Sequence, residues 1–524
     1  MHKTISSVIV KDLLRRGQPL ASLFRFDKRI PLWQVPTRAN YSQATSILTS
    51  VGPALPSRMS SRKNYQPTPE EYAIAQAKKT ERLRKKQERE TNTGLHASYS
   101  IIQRPWLTVP SVQEASPESR LGVKVFTWNL LAQCLVRREL FPTSDCLKAG
   151  QREKMLQDEL YLPGADILCL QEVDRLEKVL PMLDQAGYSH RYAAGRGKKH
   201  GCLIAFKRKI LEQVHERLVY YDEQSIRDAK DERARCGHSF KTRNIGLILA
   251  LRFRDDPSNG IIVATTHLFW HPKYTYERTR QAGILVREVL DLKKTQKAED
   301  WPCFIAGGSH PSLASLLHPL TSPLRIDFNC PPNDAAYALL TGQTLNAEHK
   351  DRLSHSRVTH ISVDPSVPKT QTTPSKGDEE GGEGDSEESD PDRVITNARN
   401  ATDADGLLDD HELTALFSNG HRLFSAYDVG LSKMQDSNIA LYGDRVSLQR
   451  TQPGFFEPSY SCYTHYWQSV LDYIFYVPPR SQSCDVTSLL APHRMEDFGA
   501  GLPLKGICAS DHVSLGAEFS WTRS

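Results

Sequence analysis

The chain has 524 residues, 39% of them hydrophobic, and a formal net charge of +5. The length exceeds one ordinary domain, the low apolar share leaves room for segments without a core, and so mild a charge neither demands nor excludes a nucleic-acid partner. Ten cysteines with no C-x-x-C argue against a zinc cluster or a disulfide framework and fit reduced thiols in an intracellular protein. No apolar run nears the ~20 residues of a membrane span, so a soluble protein is expected.

Residues 1–58 are rich in Arg, Ser and Leu, and Asp12 and Asp27 are their only acids. Two readings stand side by side: a mitochondrial presequence with a processing site in Arg38-Ala-Asn-Tyr-Ser42, or an over-long gene model ahead of a true start at Met59. The compartment follows from the choice: mitochondrial if 1–58 is genuine, cytoplasmic or nuclear otherwise. Over 59–120 a basic helical or disordered region is expected. Thr68 caps a helix there with Pro69 in its first turn, and the cationic run 78–89 has no apolar stripe to pack. A solvated helix explains that run; contact with an RNA backbone or an import signal is the alternative.

From about residue 121 the pattern changes to strands that end in chemistry. Val123 to Trp128 is rich in β-formers and meets Asn129; after an amphipathic helix from Gln151 to Leu162, the apolar run Ile167 to Leu170 reads as a buried strand ending in Gln171-Glu172. A carboxylate at a strand's carboxyl end is where α/β proteins place their sites, and Glu is a hard oxygen ligand suited to Mg²⁺. A helix covers Leu176 to Gln185. The strand Gly201 to Phe206 follows a basic loop, 195–200, and Leu247–Phe253 and Ile261–Thr266 form a hairpin whose second strand leads into His267-Leu-Phe-Trp-His-Pro272. Tyr276 to Lys294 is helical. Further on, Asp472 sits within the apolar run Val470 to Tyr476, where an acid needs a dedicated partner, and Asp511-His512 precedes the last strand. An Asp beside a His can fix its tautomer and raise its basicity, which suits a protonated His beside a phosphate.

Asn129 in T-W-N-L, Glu172 in L-Q-E-V, His267 in T-T-H-L, Asp472 in L-D-Y-I-F and Asp511-His512 in S-D-H resemble, in order and context, the endonuclease/exonuclease/phosphatase superfamily over 121–519. Leu130-Leu-Ala-Gln133, Phe141-Pro-Thr-Ser144 and the run 267–272 are similar to its nocturnin and deadenylase branch, and within it to fungal Ngl-type RNA exonucleases. The resemblance implies an α/β fold of two packed mixed β-sheets flanked by helices, a four-layer DNase I-like sandwich. It implies one or two Mg²⁺, with Mn²⁺ as a substitute, and trimming of single-stranded RNA 3′ ends, as in poly(A) or rRNA-precursor processing. By the same comparison Glu172 holds metal, Asp327 activates water, Asn129 and Asn329 orient the phosphate, and His267 and His512 stabilise its charge. Asp511 orients His512, Asp472 supports the network, and Pro272 and Trp467 hold a base by contact and stacking.

Two departures stand out. The family's Gly-Asp-X-Asn run is split here, because residues 308–326 separate Gly307 from Asp327-Phe-Asn329; removing them restores A-G-D-F-N-C-P-P without a seam, which points to a retained intron, the alternative being a genuine insertion that would put catalysis in doubt. The region from Asp351 to about Asp410, densely acidic over 377–392, reads as a disordered surface loop. Asp403-Ala-Asp-Gly406 imitates an EF-hand loop but carries Ala401 at the first ligand position. The expectation is a monomeric 3′-to-5′ exoribonuclease with no membrane partner. The rivals are a catalytically impaired RNA-binding scaffold and a phosphodiesterase acting on a small molecule or lipid.

Overall fold

The computed structural model describes residues 100–110, 120–308, 330–368, 397–417, 421–434 and 438–523. The readings made for 1–58, for the basic helix after Thr68, for 309–326 and for Asp327 and Asn329 lie outside these residues.

Two mixed sheets form the centre. One has seven strands in the spatial order 106–108, 484–490, 515–522, 120–129, 167–173, 201–207 and 188–194; the other has six, in the order 424–425, 473–477, 303–308, 260–267, 245–253 and 211–220. Their inner faces pack on each other. Val125, Ile167 and Ile204 of the first sheet share one cluster with Leu247, Leu249, Val263, Phe304 and Ile474 of the second. The outer face of the seven-stranded sheet receives the helices Ala149–Tyr161 and Leu176–Gln185, through Met155, Leu160, Leu168, Leu170 and Leu183. The helices Thr275–Thr295, Ala335–Leu340 and Asp410–Phe417 cover the other sheet. The result is a four-layer α/β/β/α sandwich.

This layering explains the unbroken apolar runs. Along Ile245–Phe253, Leu247, Leu249 and Leu251 enter the layer between the sheets, whereas Ile248 and Ala250 face the helices. With both faces covered, alternation of side-chain direction no longer produces alternation of polarity. The same holds for Ile167 and Cys169 against Leu168 and Leu170.

Two expectations are corrected. The flanks of 351–410 are ordered, whereas 369–396, with the acidic stretch 377–392, lie outside the described residues: the helix Ala347–Ser356 buries Leu353, Val358–His360 pairs with Ala398–Asn400, and Leu408 joins the core. Local ion pairs make this feasible, with Arg399 bonding both oxygens of Asp405, at 2.7 and 2.8 Å, and Asp364 at 2.7 Å. That pairing also occupies the carboxylate of the EF-hand imitation. Second, Asp472 precedes its strand, which begins at Tyr473. All ten cysteines are free thiols, and among the described residues no helix is long and apolar enough to cross a membrane.

Candidate active site

Parallel strands 120–129 and 167–173 run in register with Asn129 opposite Gln171, so both deliver their ends to the same edge of the sandwich. There the pairing of 167–173 with 201–207 slips between Leu170 and Val173, and Glu172 takes a left-handed backbone conformation, φ 55°. A bulge with a non-glycine residue at positive φ costs of order 1 kcal/mol or more and re-aims the side chain, a local conflict typical of functional positions. The Glu172 carboxylate is held by Asn129 Nδ2 at 2.8 Å and by the Ala132 amide at 3.1 Å, with His267 Nε2 3.6 Å away. Asn129, expected to orient a phosphate, thus spends its amide on Glu172.

His267 ends the strand Gly260–His267 and lies beside Gly308, the last residue of the parallel neighbour Cys303–Gly308. A Cβ at 308 would stand 2.2 Å from Asp472 Oδ1, so a side chain there requires that carboxylate to shift. That close approach brings the second carboxylate in. Asp472 accepts from Ser461 Oγ at 2.7 Å and is bonded through the same oxygen, Oδ2, to His512 Nδ1 at 2.7 Å. Its other oxygen is buried with no hydrogen-bond partner among the described residues. Burial pulls the His512 pKa down, but the charges of Asp472 and Asp511 override it, and the imidazole is held well above its ordinary value.

The loop Ala509–His512 is tied to the Asn129 side of the site. Ser510 Oγ donates to the Asn129 carbonyl at 2.7 Å, and Trp128 Nε1 to the His512 carbonyl, also at 2.7 Å. Arg152, absent from the sequence expectations, is the strut beneath both loops. Enclosed at 1% exposure, it donates to Ala509 O at 2.6 Å, to Leu131 O at 2.7 Å and to Leu130 O. Burial lowers its pKa to about 10, which leaves it charged at neutral pH. Nothing in the helical pattern of 149–161 distinguishes this arginine from a solvated one.

Asn129, Glu172, His267, Asp472, Asp511 and His512 are therefore brought together. The base-binding pair is placed differently. Trp467 is 6% exposed and packs with Leu131, Leu140 and Phe141, which leaves little of its ring for stacking on a base. Pro272 stays half-buried beside His271, which is enclosed and, through burial, has its pKa lowered to about 3; its Nδ1 accepts from the Lys273 amide.

The donor set can be tested against a metal. Glu172, Asp472 and Asp511 are each at most 1% exposed, and enclosing three carboxylates around one imidazole is costly unless a cation joins them. Oxygen donors of this kind suit a hard divalent cation. Cys462, Asp511 and His512 also place ligand atoms within 4.8 Å of one another, a softer combination. Burial raises the Cys462 thiol to about 11 and His512 is engaged by Asp472, so this trio does not make a thiolate zinc site.

Residues 126–308 match the model of the Endonuclease/Exonuclease/phosphatase family. A Schizosaccharomyces pombe protein named "Probable RNA exonuclease C9B6.11c" is 29% identical over 86% of this chain and 88% of its own length. The RNA exonuclease NGL2 of Saccharomyces cerevisiae is 29% identical over 79% of this chain and 81% of its own. A crystal structure of ANGEL2, a 2′,3′-cyclic phosphatase, aligns over 80% of this chain and 99% of that one, with 19% identity and a TM-score of 0.49. The family match takes in the strands that deliver Asn129, Glu172 and His267, and the fungal relatives carry the likeness across most of the remaining chain.

Proposed function

We propose that this protein is an exoribonuclease that removes nucleotides from RNA 3′ ends in the 3′-to-5′ direction, as a monomer, with Mg²⁺ as its cation. The observation that carries the reading is the convergence of three enclosed carboxylates with His512, bonded to Asp472, at one edge of the sandwich. Relatives of similar extent named RNA exonucleases support RNA as the substrate. Nucleases of this family generally depend on a divalent metal.

Glu172 and Asp511 would hold the cation, which when bound supplies Lewis-acid neutralisation of phosphate charge. Asn129 and the Ala132 amide fix the Glu172 carboxylate for that purpose. His512, kept cationic and oriented by Asp472, stabilises negative charge developing on the phosphate, and His267 offers a second donor from the opposite strand end. Hydrolysis adds a water oxygen to phosphorus, breaks the P–O3′ bond and returns a proton to the departing 3′ oxygen. Asp327 and Asn329, assigned by resemblance to water activation and phosphate orientation, lie outside the described residues.

A second reading, the impaired scaffold, is favoured by the distance in sequence from Gly308 to Asp327. One assay separates them: the full chain and a variant lacking 308–326 are compared on single-stranded RNA, single-stranded DNA and a small phosphodiester. Degradation of RNA in preference to both other substrates is expected, at least for the shortened chain. RNA binding without turnover by either chain would establish the scaffold, and preference for the small ester would remove RNA as the substrate.

A further inference from the structure

The helix Thr275–Thr295 begins next to the His267–Pro272 loop, and its 21 residues carry it about 30 Å away from the active site. At its far end lies an open concavity of about 700 Å³, lined by Lys293, Lys294, Arg480, His421 and Arg287. Asp291 and Glu299 also line it, but Asp291 pairs with Arg217 at 2.8 Å, as Arg287 does with Glu288. What remains is Lys293, Lys294 and Arg480 against the single carboxylate of Glu299.

Cations at a helix C-terminus ordinarily answer the helix dipole, which accounts for the exposed Lys294. It does not account for Lys293. That side chain is 5% exposed, and its ammonium makes one long hydrogen bond, 3.4 Å to Pro478 O, with no carboxylate in ion-pair range among the described residues. Enclosing an ammonium with so little compensation is costly unless an anion completes the site. Arg480 lines the same concavity, its backbone held by its own amide, which donates to Glu299 O at 3.0 Å. His421 reports the same field, its pKa lowered by burial and then by the charges of Lys293 and Arg480.

We propose that this concavity is a second binding site for RNA, in which Lys293, Lys294 and Arg480 take backbone phosphates upstream of the 3′ end held at the active site. The assignment of RNA rests on the function proposed above; the phosphate chemistry does not. Such a site adds affinity for long strands by linking two contacts on one polymer and adds nothing for a substrate too short to reach it.

The test uses the full chain with the variants Lys293→Met and Arg480→Glu, and follows fluorescence anisotropy in EDTA on 5′-labelled oligoadenylates. One is a trinucleotide; the other is long enough to extend ~30 Å beyond the active site. Each variant is expected to bind the long strand about tenfold more weakly, with the log–log salt slope shallower by about one, and to bind the trinucleotide in EDTA, and cleave it when Mg²⁺ replaces EDTA, like the parent. Lys293→Met is expected to melt no lower than the parent, and Arg480→Glu, on the surface, carries the test if it does. Unchanged affinity for the long strand, or equal losses on both lengths, would overturn the site. A chain that cleaves no RNA yet shows the variant-dependent loss would instead remove the exonuclease and leave the site standing.

Discussion

His512 Nδ1 stands 2.7 Å from Asp472 Oδ2, and neither side chain is reached by solvent. The pair connects the loop before the final strand to the residue before the strand 473–477, and it orients the imidazole and favours its charged form. Asp472→Asn keeps the shape and removes the charge. Turnover is expected to fall by about 10²-fold or more, the scale on which positioned donors act, with KM little changed. Steady-state kinetics with thermal unfolding check this; unimpaired turnover in a folded variant would mean that His512 does not need its charge.

Arg152 is expected to matter for structure and activity together. Arg152→Met leaves the carbonyls of Leu130, Leu131 and Ala509 without their donor. A loss of roughly 3 kcal/mol of stability follows from stranding buried acceptors, along with reduced activity at temperatures where the variant is folded, because the Asn129 and Asp511 loops share this support. Denaturant unfolding beside activity decides it; a variant as stable as the parent would show that the loops support themselves.

Trp467→Ala now separates two roles in favour of packing. Deleting an enclosed indole from a cluster with Leu131, Leu140 and Phe141 should cost ~3 to 5 kcal/mol of folding stability. A folded, equally stable variant with a raised KM for RNA would restore the stacking role read from the sequence.

A pH dependence of stability is expected from Glu457, which accepts from Tyr337 Oη at 2.9 Å. Burial, and then the charge of Asp428, raise its pKa from 4.5 to about 8. Between those values the folded state keeps a proton that the unfolded chain has released, so stability from this residue is complete below pH 4.5 and declines as pH rises toward 8. Glu457→Gln, which mimics the protonated acid, should flatten that decline. Melting temperatures across the window check it, and parallel curves for parent and variant would refute the assignment.

The sequence made the strands legible wherever both faces are buried, since Ile167–Val173 and Ile245–Phe253 are continuous apolar runs with a functional residue at or after the end. The strands Tyr188–Ala194 and Leu211–Tyr220 went unread because their exposed positions break that signal. Glu172, His267, Asp472, Asp511 and His512 were visible as chemistry at strand ends and loops. Ser461, Cys462 and Arg152 were not, since a serine, a thiol and a helical arginine acquire meaning only from what the fold places beside them. Trp467 carries the same ambiguity: an aromatic near a site can be plate or packing, and its enclosure favours packing. The ordered parts of 351–410 were missed because their support is two aspartates sharing Arg399 across a gap in sequence.

On the proposed function, Glu172 and its neighbours form a metal-dependent RNA-cleaving site. That assignment is tested most directly by incubating 5′-labelled single-stranded RNA, bearing a free 3′ hydroxyl, with the chain lacking 308–326 and with its Glu172→Gln counterpart, each with Mg²⁺ and with EDTA. A ladder shortening from the 3′ end is expected with Mg²⁺ and none in EDTA, with a loss of orders of magnitude in Glu172→Gln at an almost unchanged melting temperature. Undiminished cleavage after complete metal removal, or an active Glu172→Gln chain, would contradict it.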